Sequence, residues 1–130
     1  MEKEEYFKHS DGWVFWCLNN GKLNVKYLYC MIMSGDYVNR AIFNLDEIND
    51  GMSRLESEGY FEIINNKVKL TKKAKAFKKE HRVRFELCIP EMLRYCRIFE
   101  KMRLENETVY KQYFTQDDYD VAVRKYCKYI

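Results

Sequence analysis

The chain has 130 residues, with 23 basic and 20 acidic side chains, a net charge of +3 and 47% apolar content. That length supports one domain with a proper core, and that balance excludes a disordered chain. No apolar run approaches the ~20 residues of a membrane span, and the opening MEKEEYFKHS has no apolar signal core, so a cytoplasmic protein is expected.

The expected elements are mostly helical, in keeping with one Pro and five Gly. Ser10 or Asp11 should cap a short helix through Trp13, Phe15, Trp16, Cys17 and Leu18. Asn20-Gly21 should stop it, because Gly tolerates the left-handed end of a helix. Asn24 should cap a second helix reaching Ser34 and ended by Gly35. Residues 36–43 read as a connector, with a short strand at Ala41-Ile42-Phe43. Asn44 with Glu47 forms a capping box. The third helix then places Leu45, Ile48, Met52 and Leu55 on one face and ends at Gly59.

Tyr60–Ile64 and Lys67–Leu70 alternate as two strands joined by Asn65-Asn66, a primed-turn pair. Thr71 should cap a helix over 72–88, with Ala74, Phe77, His81, Phe85 and Cys88 on its buried stripe. Pro90 should break this helix and open the next at a first-turn position. That helix carries Met92, Cys96, Phe99 and Met102. Thr115 with Asp118 signals a final helix with Tyr119, Ala122, Val123, Tyr126 and Ile130 on its apolar side. The aromatic set Tyr110, Tyr113, Phe114, Tyr119, Tyr126 and Tyr129 is read as core packing or a dimer seam, since stacking platforms for bases interleave aromatics with cations on open sheets.

Charge is distributed unevenly. Residues 35–70 carry four basic and seven acidic side chains, and residues 71–84 carry seven basic and one acidic. Two candidate surfaces follow. The basic helix offers Lys72, Lys75, Lys78, Lys79 and Arg82, which would dock phosphate or an acidic protein. Its bland alternative is a solvated face opposite a buried stripe. The acidic set Asp36, Asp50, Glu56, Glu58 and Glu62 would meet a basic partner, or form an ordinary surface.

Catalysis finds little to build on. The histidines are His9, near the terminus, and His81, on an apolar stripe. No G-x-S-x-G, phosphate loop or H-E-x-x-H occurs. No enzyme activity, catalytic residue, metal or cofactor is expected. The five cysteines, Cys17, Cys30, Cys88, Cys96 and Cys127, lack any C-x-x-C pair and read as reduced, buried thiols.

Helix, connector, helix, hairpin and a helix opening with Leu-Thr resembles the winged-helix superfamily, as in MarR-type and PadR-type regulators. The residues that carry the likeness are Leu45-x-Glu47-Ile48, Gly51-x-x-x-Leu55-x-x-x-Gly59-Tyr60-Phe61 and Val68-x-Leu70-Thr71-x-x-Ala74. The resemblance implies a mainly α fold with a small β-hairpin: a winged-helix-like core over 12–88 and a helical extension over 89–130, within one domain. It also implies a homodimer through 90–130.

Three departures bear on function. The helix in the recognition position holds Asp46, Glu47, Asp50, Glu56 and Glu58 against Arg54 alone, and an acidic face repels phosphates. About eight or nine residues join the second and third helices, where a helix-turn-helix uses about 3–4. The wing tip is only Asn65-Asn66, with Lys67 and Lys69 as its cations. The expected function is therefore a non-enzymatic protein-interaction module, such as an adaptor or a toxin-neutralising immunity protein. Its partner would be another protein, with no membrane involved. The alternative is a DNA-binding transcriptional regulator that meets nucleic acid through the basic helix or a dimer surface.

Overall fold

Local signals account for most element boundaries in the computed structural model, which describes residues 5–39, 44–82 and 88–127. Those residues form α1 (His9–Cys17), β1 (Gly21–Lys22), α2 (Val25–Asn39), α3 (Leu45–Ser57), β2 (Phe61–Ile64), β3 (Lys67–Leu70), α4 (Lys72–Glu80), α5 (Cys88–Glu100) and α6 (Gln116–Cys127). The chain is mainly helical with a small antiparallel sheet. No helix among the described residues is long and apolar enough to cross a membrane.

Three caps behave as their side chains require. Asn44 Oδ1 accepts the Glu47 N–H at 2.8 Å, and Glu47 Oε1 accepts the Asn44 N–H at 3.0 Å. Thr71 Oγ1 accepts the Ala74 N–H. Thr115 and Asp118 exchange the same reciprocal pair at the start of α6. Gly59 leaves α3 at φ +84°, and Asn65 and Asn66 turn the hairpin at φ 51° and 60°.

Several boundaries differ from expectation. The first helix begins at His9, preceded by Lys8, whose N–H donates to Asp11 Oδ2 at 2.8 Å. Asp11 thus acts from inside the first turn. Gly35 does not end the second helix, which continues to Asn39. A helix-interior Gly costs only about 1 kcal/mol, less than the packing of α2 against α6 and α1 supplies. Residues 40–44 alone then separate α2 from α3, so the connector is shorter than expected. The strand foreseen at Ala41-Ile42-Phe43 lies outside the described residues.

The helix foreseen over 72–88 stops at Glu80 and is closed by the His81 N–H on Phe77 O. Like-charge pairs one turn apart, Lys75 with Lys79 and Lys78 with Arg82, weaken its propagation. Phe85 lies outside the described residues. Cys88 opens α5 instead, with Pro90 in its first turn.

The hairpin gains a third strand. β3 lies between β1 and β2, with Gly21 opposite Val68, Lys22 opposite Lys67, and Glu62 opposite Lys69. Asn20-Gly21 therefore enters a strand and does not simply end α1.

The core gathers around Phe15. Its ring centroid lies 5.2–5.5 Å from Tyr60, Phe77, Tyr95 and Phe99, in the tilted and edge arrangements aromatic pairs favour. α5 crosses α1 so closely that a Cβ on Gly12 would lie 2.4 Å from the Cys96 nitrogen. Gly is the one residue that admits this crossing. Residues 5–7 close the base, with Phe7 N–H on Met102 O and Leu104 N–H on Glu5 O.

Candidate functional site

α3 packs against α1 and β2. Ile48, Met52 and Leu55 are fully buried on its apolar stripe, and Leu45 is partly buried beside them. Much of its other face is covered, with Asp46 exposed near its start. Residues 105–114 run across it, held by a row of polar side chains. Glu58 accepts the N–H groups of Glu105 and Asn106 at 2.9 and 2.8 Å. Ser57 Oγ accepts Val109 N–H, and Ser53 Oγ accepts Lys111 N–H, each at 2.9 Å. Asn49 Oδ1 accepts the N–H groups of Tyr113 and Phe114 at 3.1 Å, and its Nδ2 donates to Phe114 O at 3.0 Å.

The geometry explains the spacing. Four helical residues advance about 6 Å, and two extended residues advance about 6.6 Å. Asn49, Ser53 and Ser57 recur every four residues. Tyr113, Lys111 and Val109 recur every two in the opposite direction. The extended segment therefore presents every second N–H to the same helix face.

Beneath this row lies a buried ion pair. Arg54 Nε and Nη2 donate to Asp11 Oδ2 and Oδ1 at 2.6 and 2.9 Å, with side chains 6% and 0% exposed. Burial alone would lower the Arg54 pKa. The hydrogen bonds and charge of Asp11, joined by the Tyr110 hydroxyl, outweigh it and raise the pKa.

These contacts take Glu58, and part of Glu56, out of the acidic surface foreseen. Glu58 is 5% exposed and spent on the 105–106 backbone. Glu56 is half-buried, accepting the Tyr113 hydroxyl and Lys111 Nζ. Burial first, and then the Glu56 contact, pushes the Tyr113 pKa up. Asp50 is half-buried, and Glu62 is exposed opposite Lys69. Asp36 lies near the end of α2, and its side chain is outside the described residues. Counting carboxylates treated as surface two that are fixed internally.

Four of the five foreseen cations stay on the surface, three on α4 and Arg82 just beyond its end. Lys72, Lys75, Lys79 and Arg82 are exposed. Lys78 turns inward: its Nζ donates to Leu18 O at 3.2 Å and sits 5.3 Å from the Phe15 ring centre. Burial lowers its pKa. Lys73, absent from the foreseen set, donates to Glu58 O at 2.7 Å and covers the Tyr60 ring. Thus Lys73 and Lys78 clamp α4 to the core, and the remaining cations face water.

Comparison of the chain with protein-family models, with curated proteins and with solved structures found no match.

The remaining candidates fall into place around these surfaces. His9 is not at a loose end: it opens α1, with Nδ1 2.9 Å from Glu100 Oε2. His81 is half-buried against the Phe77 ring, with centroids 4.5 Å apart. Cys17 and Cys96 are buried, whereas Cys30 and Cys127 are exposed, against the expectation of wholly buried thiols. Phe114 and Tyr126 enter the core, but Tyr110 is exposed, and Tyr129 is outside the described residues.

The sequence reading missed the α3 row. Its signal was available as Asn49, Ser53 and Ser57 at intervals of four. What was lacking was any periodic signature in the segment that meets them.

Proposed function

We propose that this chain is a non-enzymatic interaction module on a winged-helix-like scaffold, binding an acidic protein through the exposed cations of α4. The observation that carries this reading is the cover over α3. A helix that reads a DNA groove must present side chains to base edges. Here that face is engaged by the chain's own residues 105–114. The side chains of Lys72, Lys75 and Lys79 on α4, and of Arg82 just beyond it, by contrast, make no hydrogen bond or ion pair among the described residues. An acidic partner would satisfy them, with electrostatics setting encounter rate and specificity. An adaptor, or a protein that neutralises a toxin, would use such a surface.

A DNA-binding regulator is the second reading. The exposed Lys67 and Lys69 on β3 favour it, because phosphate contacts need only accessible cations.

The test is capture of partners from source-cell lysate by tagged protein, with and without nuclease. The triple variant Lys72→Glu/Lys75→Glu/Lys79→Glu runs in parallel. The proposal expects a stoichiometric protein that survives nuclease and is lost in the variant. Capture of DNA alone, abolished by nuclease, would establish the regulator instead.

A further inference from the structure

Beside the turn from α1 into α2 lies a cleft of about 430 Å³, within the size range of small-molecule sites. Its lining includes Asn20, Lys22, Asn24, Lys26, Tyr27 and Met31. It is separate from the cations of α4.

Its floor is fixed before any ligand arrives. The Tyr27 hydroxyl donates to Asn19 O at 2.6 Å and accepts the Asn19 N–H at 3.1 Å. The Tyr27 ring stacks on Phe114, with centroids 6.5 Å apart and planes 21° apart. A Cβ on Gly21 would also lie only 3.2 Å from the ring. A tyrosine locked at its hydroxyl and along its ring is a rigid platform, and ordering it costs nothing further on binding.

The polar groups around that floor are biased toward donation. Asn20 Oδ1 is spent on the Leu70 N–H at 2.7 Å, and Asn24 Oδ1 on the Tyr27 N–H at 2.9 Å. Each bond fixes the carboxamide's orientation and leaves its Nδ2 donors unbonded. Lys22 and Lys26 are exposed and make no ion pair among the described residues. Among the described residues, no carboxylate lines the cleft. The unspent side-chain acceptors are Asn19 Oδ1 and the half-buried Ser34 hydroxyl. Two ammonium groups and two amide NH₂ groups beside one aromatic surface match a tetrahedral anion with several acceptor oxygens, joined to a flat apolar body.

We infer that this cleft binds a small aromatic phosphomonoester, with Lys22, Lys26 and the amides of Asn20 and Asn24 on the phosphate and the organic ring against Tyr27 and Met31. The inference is independent of the protein-binding role of α4. Cys30 gives it a built-in reporter: this thiol is exposed and lines the cleft, while Cys127 is exposed on α6 and serves as the internal reference.

Phenyl phosphate is the minimal probe, with inorganic phosphate and phenol as its separated halves. Amide chemical shifts report where each binds, and thiol alkylation followed by peptide mapping reports protection of Cys30 relative to Cys127. Phenyl phosphate should shift the amides of Lys22, Lys26 and Tyr27 saturably and slow alkylation of Cys30 alone. Inorganic phosphate should bind the same residues more weakly, and phenol should not bind. Lys22→Gln/Lys26→Gln, both at exposed sites, should weaken phenyl phosphate by about tenfold or more through lost charge-assisted bonds. Lys72→Gln/Lys75→Gln should leave it unchanged. The inference falls if phenyl phosphate gives no saturable shift at the cleft, if its shifts centre on α4, or if the Lys22/Lys26 variant binds it as well as the parent chain.

Discussion

Replacing Asn49 by Ala tests the claim that a polar row on α3 holds residues 105–114 in place. The substitution removes three hydrogen bonds, to Tyr113 N–H, Phe114 N–H and Phe114 O. Asn49 is 8% exposed and Phe114 only 2%, so water cannot replace the lost partners without displacing the segment. At about 1 kcal/mol per bond, the loss is about 3 kcal/mol. For a domain of this size that lowers Tm by roughly 10 °C. Urea unfolding measures the stability, and amide hydrogen exchange locates the change. Exchange at Val109, Lys111, Tyr113 and Phe114 should accelerate ahead of global unfolding, because the row fails at one end. Asn49→Asp supplies the control. It keeps an acceptor for both N–H groups but sets a carboxylate oxygen against Phe114 O. It should destabilise while leaving the Tyr113 and Phe114 amides more protected than in the Ala variant. The reasoning is refuted if Asn49→Ala costs less than about 0.5 kcal/mol with unchanged exchange over 109–114. The segment would then be held by its buried Phe114 alone.

Two further perturbations act on the interior. Asp11→Ala leaves the Arg54 guanidinium buried without its partner and should cost about 3–5 kcal/mol, whereas Asp11→Leu/Arg54→Met should recover most of that in urea titrations; equal losses in both would mean the pair is not the source. In alkali, burial raises the folded-state pKa of Tyr27 and Tyr60 from 10.0 to about 12, and of Cys96 from 9.0 to about 11. The fold therefore favours their neutral forms. That stability is fully present below the unfolded values and is lost as pH rises through the folded ones. Lys78, lowered by burial from 10.5, acts in the opposite direction but as a single group. Stability should decline from about pH 9 to 12, and part of the tyrosinate absorbance should appear only on unfolding; tyrosines that all ionise near their ordinary value in the folded chain would contradict this.

The parts of the fold legible in the sequence are those fixed by neighbours along the chain. Asn44 with Glu47, Thr71, Gly59 and Asn65-Asn66 each act within a turn or two, so residue type alone specified them. The apolar stripe of α3 was equally plain, because burial there follows a helical period. What failed depended on distant partners. β1 has two residues, too few for any alternation, and exists because Val68 and Lys67 lie opposite. The passage of α2 through Gly35 reflects packing against α6 outweighing a local preference. Glu56 and Glu58 read as surface because nothing near them in sequence marks Lys111, Tyr113, Glu105 and Asn106 as their partners. Lys78 read as solvated because its stem and charge find Phe15 and Leu18 O sixty residues earlier.

The same geometry bears on the two functions proposed above. Carboxylates on a helix in the recognition position argue against DNA only if they face it, and Glu56 and Glu58 do not. The charge argument is therefore weaker than it looked on the sequence. On a winged-helix reading a steric argument replaces it: Asn49, Ser53, Ser57 and Glu58 already meet backbone N–H groups of residues 105–114. A nucleic acid would have to displace six such bonds to reach these side chains of α3. At about 1 kcal/mol each, that is roughly 6 kcal/mol, comparable to the whole margin separating specific from non-specific DNA binding. On the proposed reading, the exposed cations of α4 face no such competition, and an acidic partner would need no rearrangement of the fold to reach them.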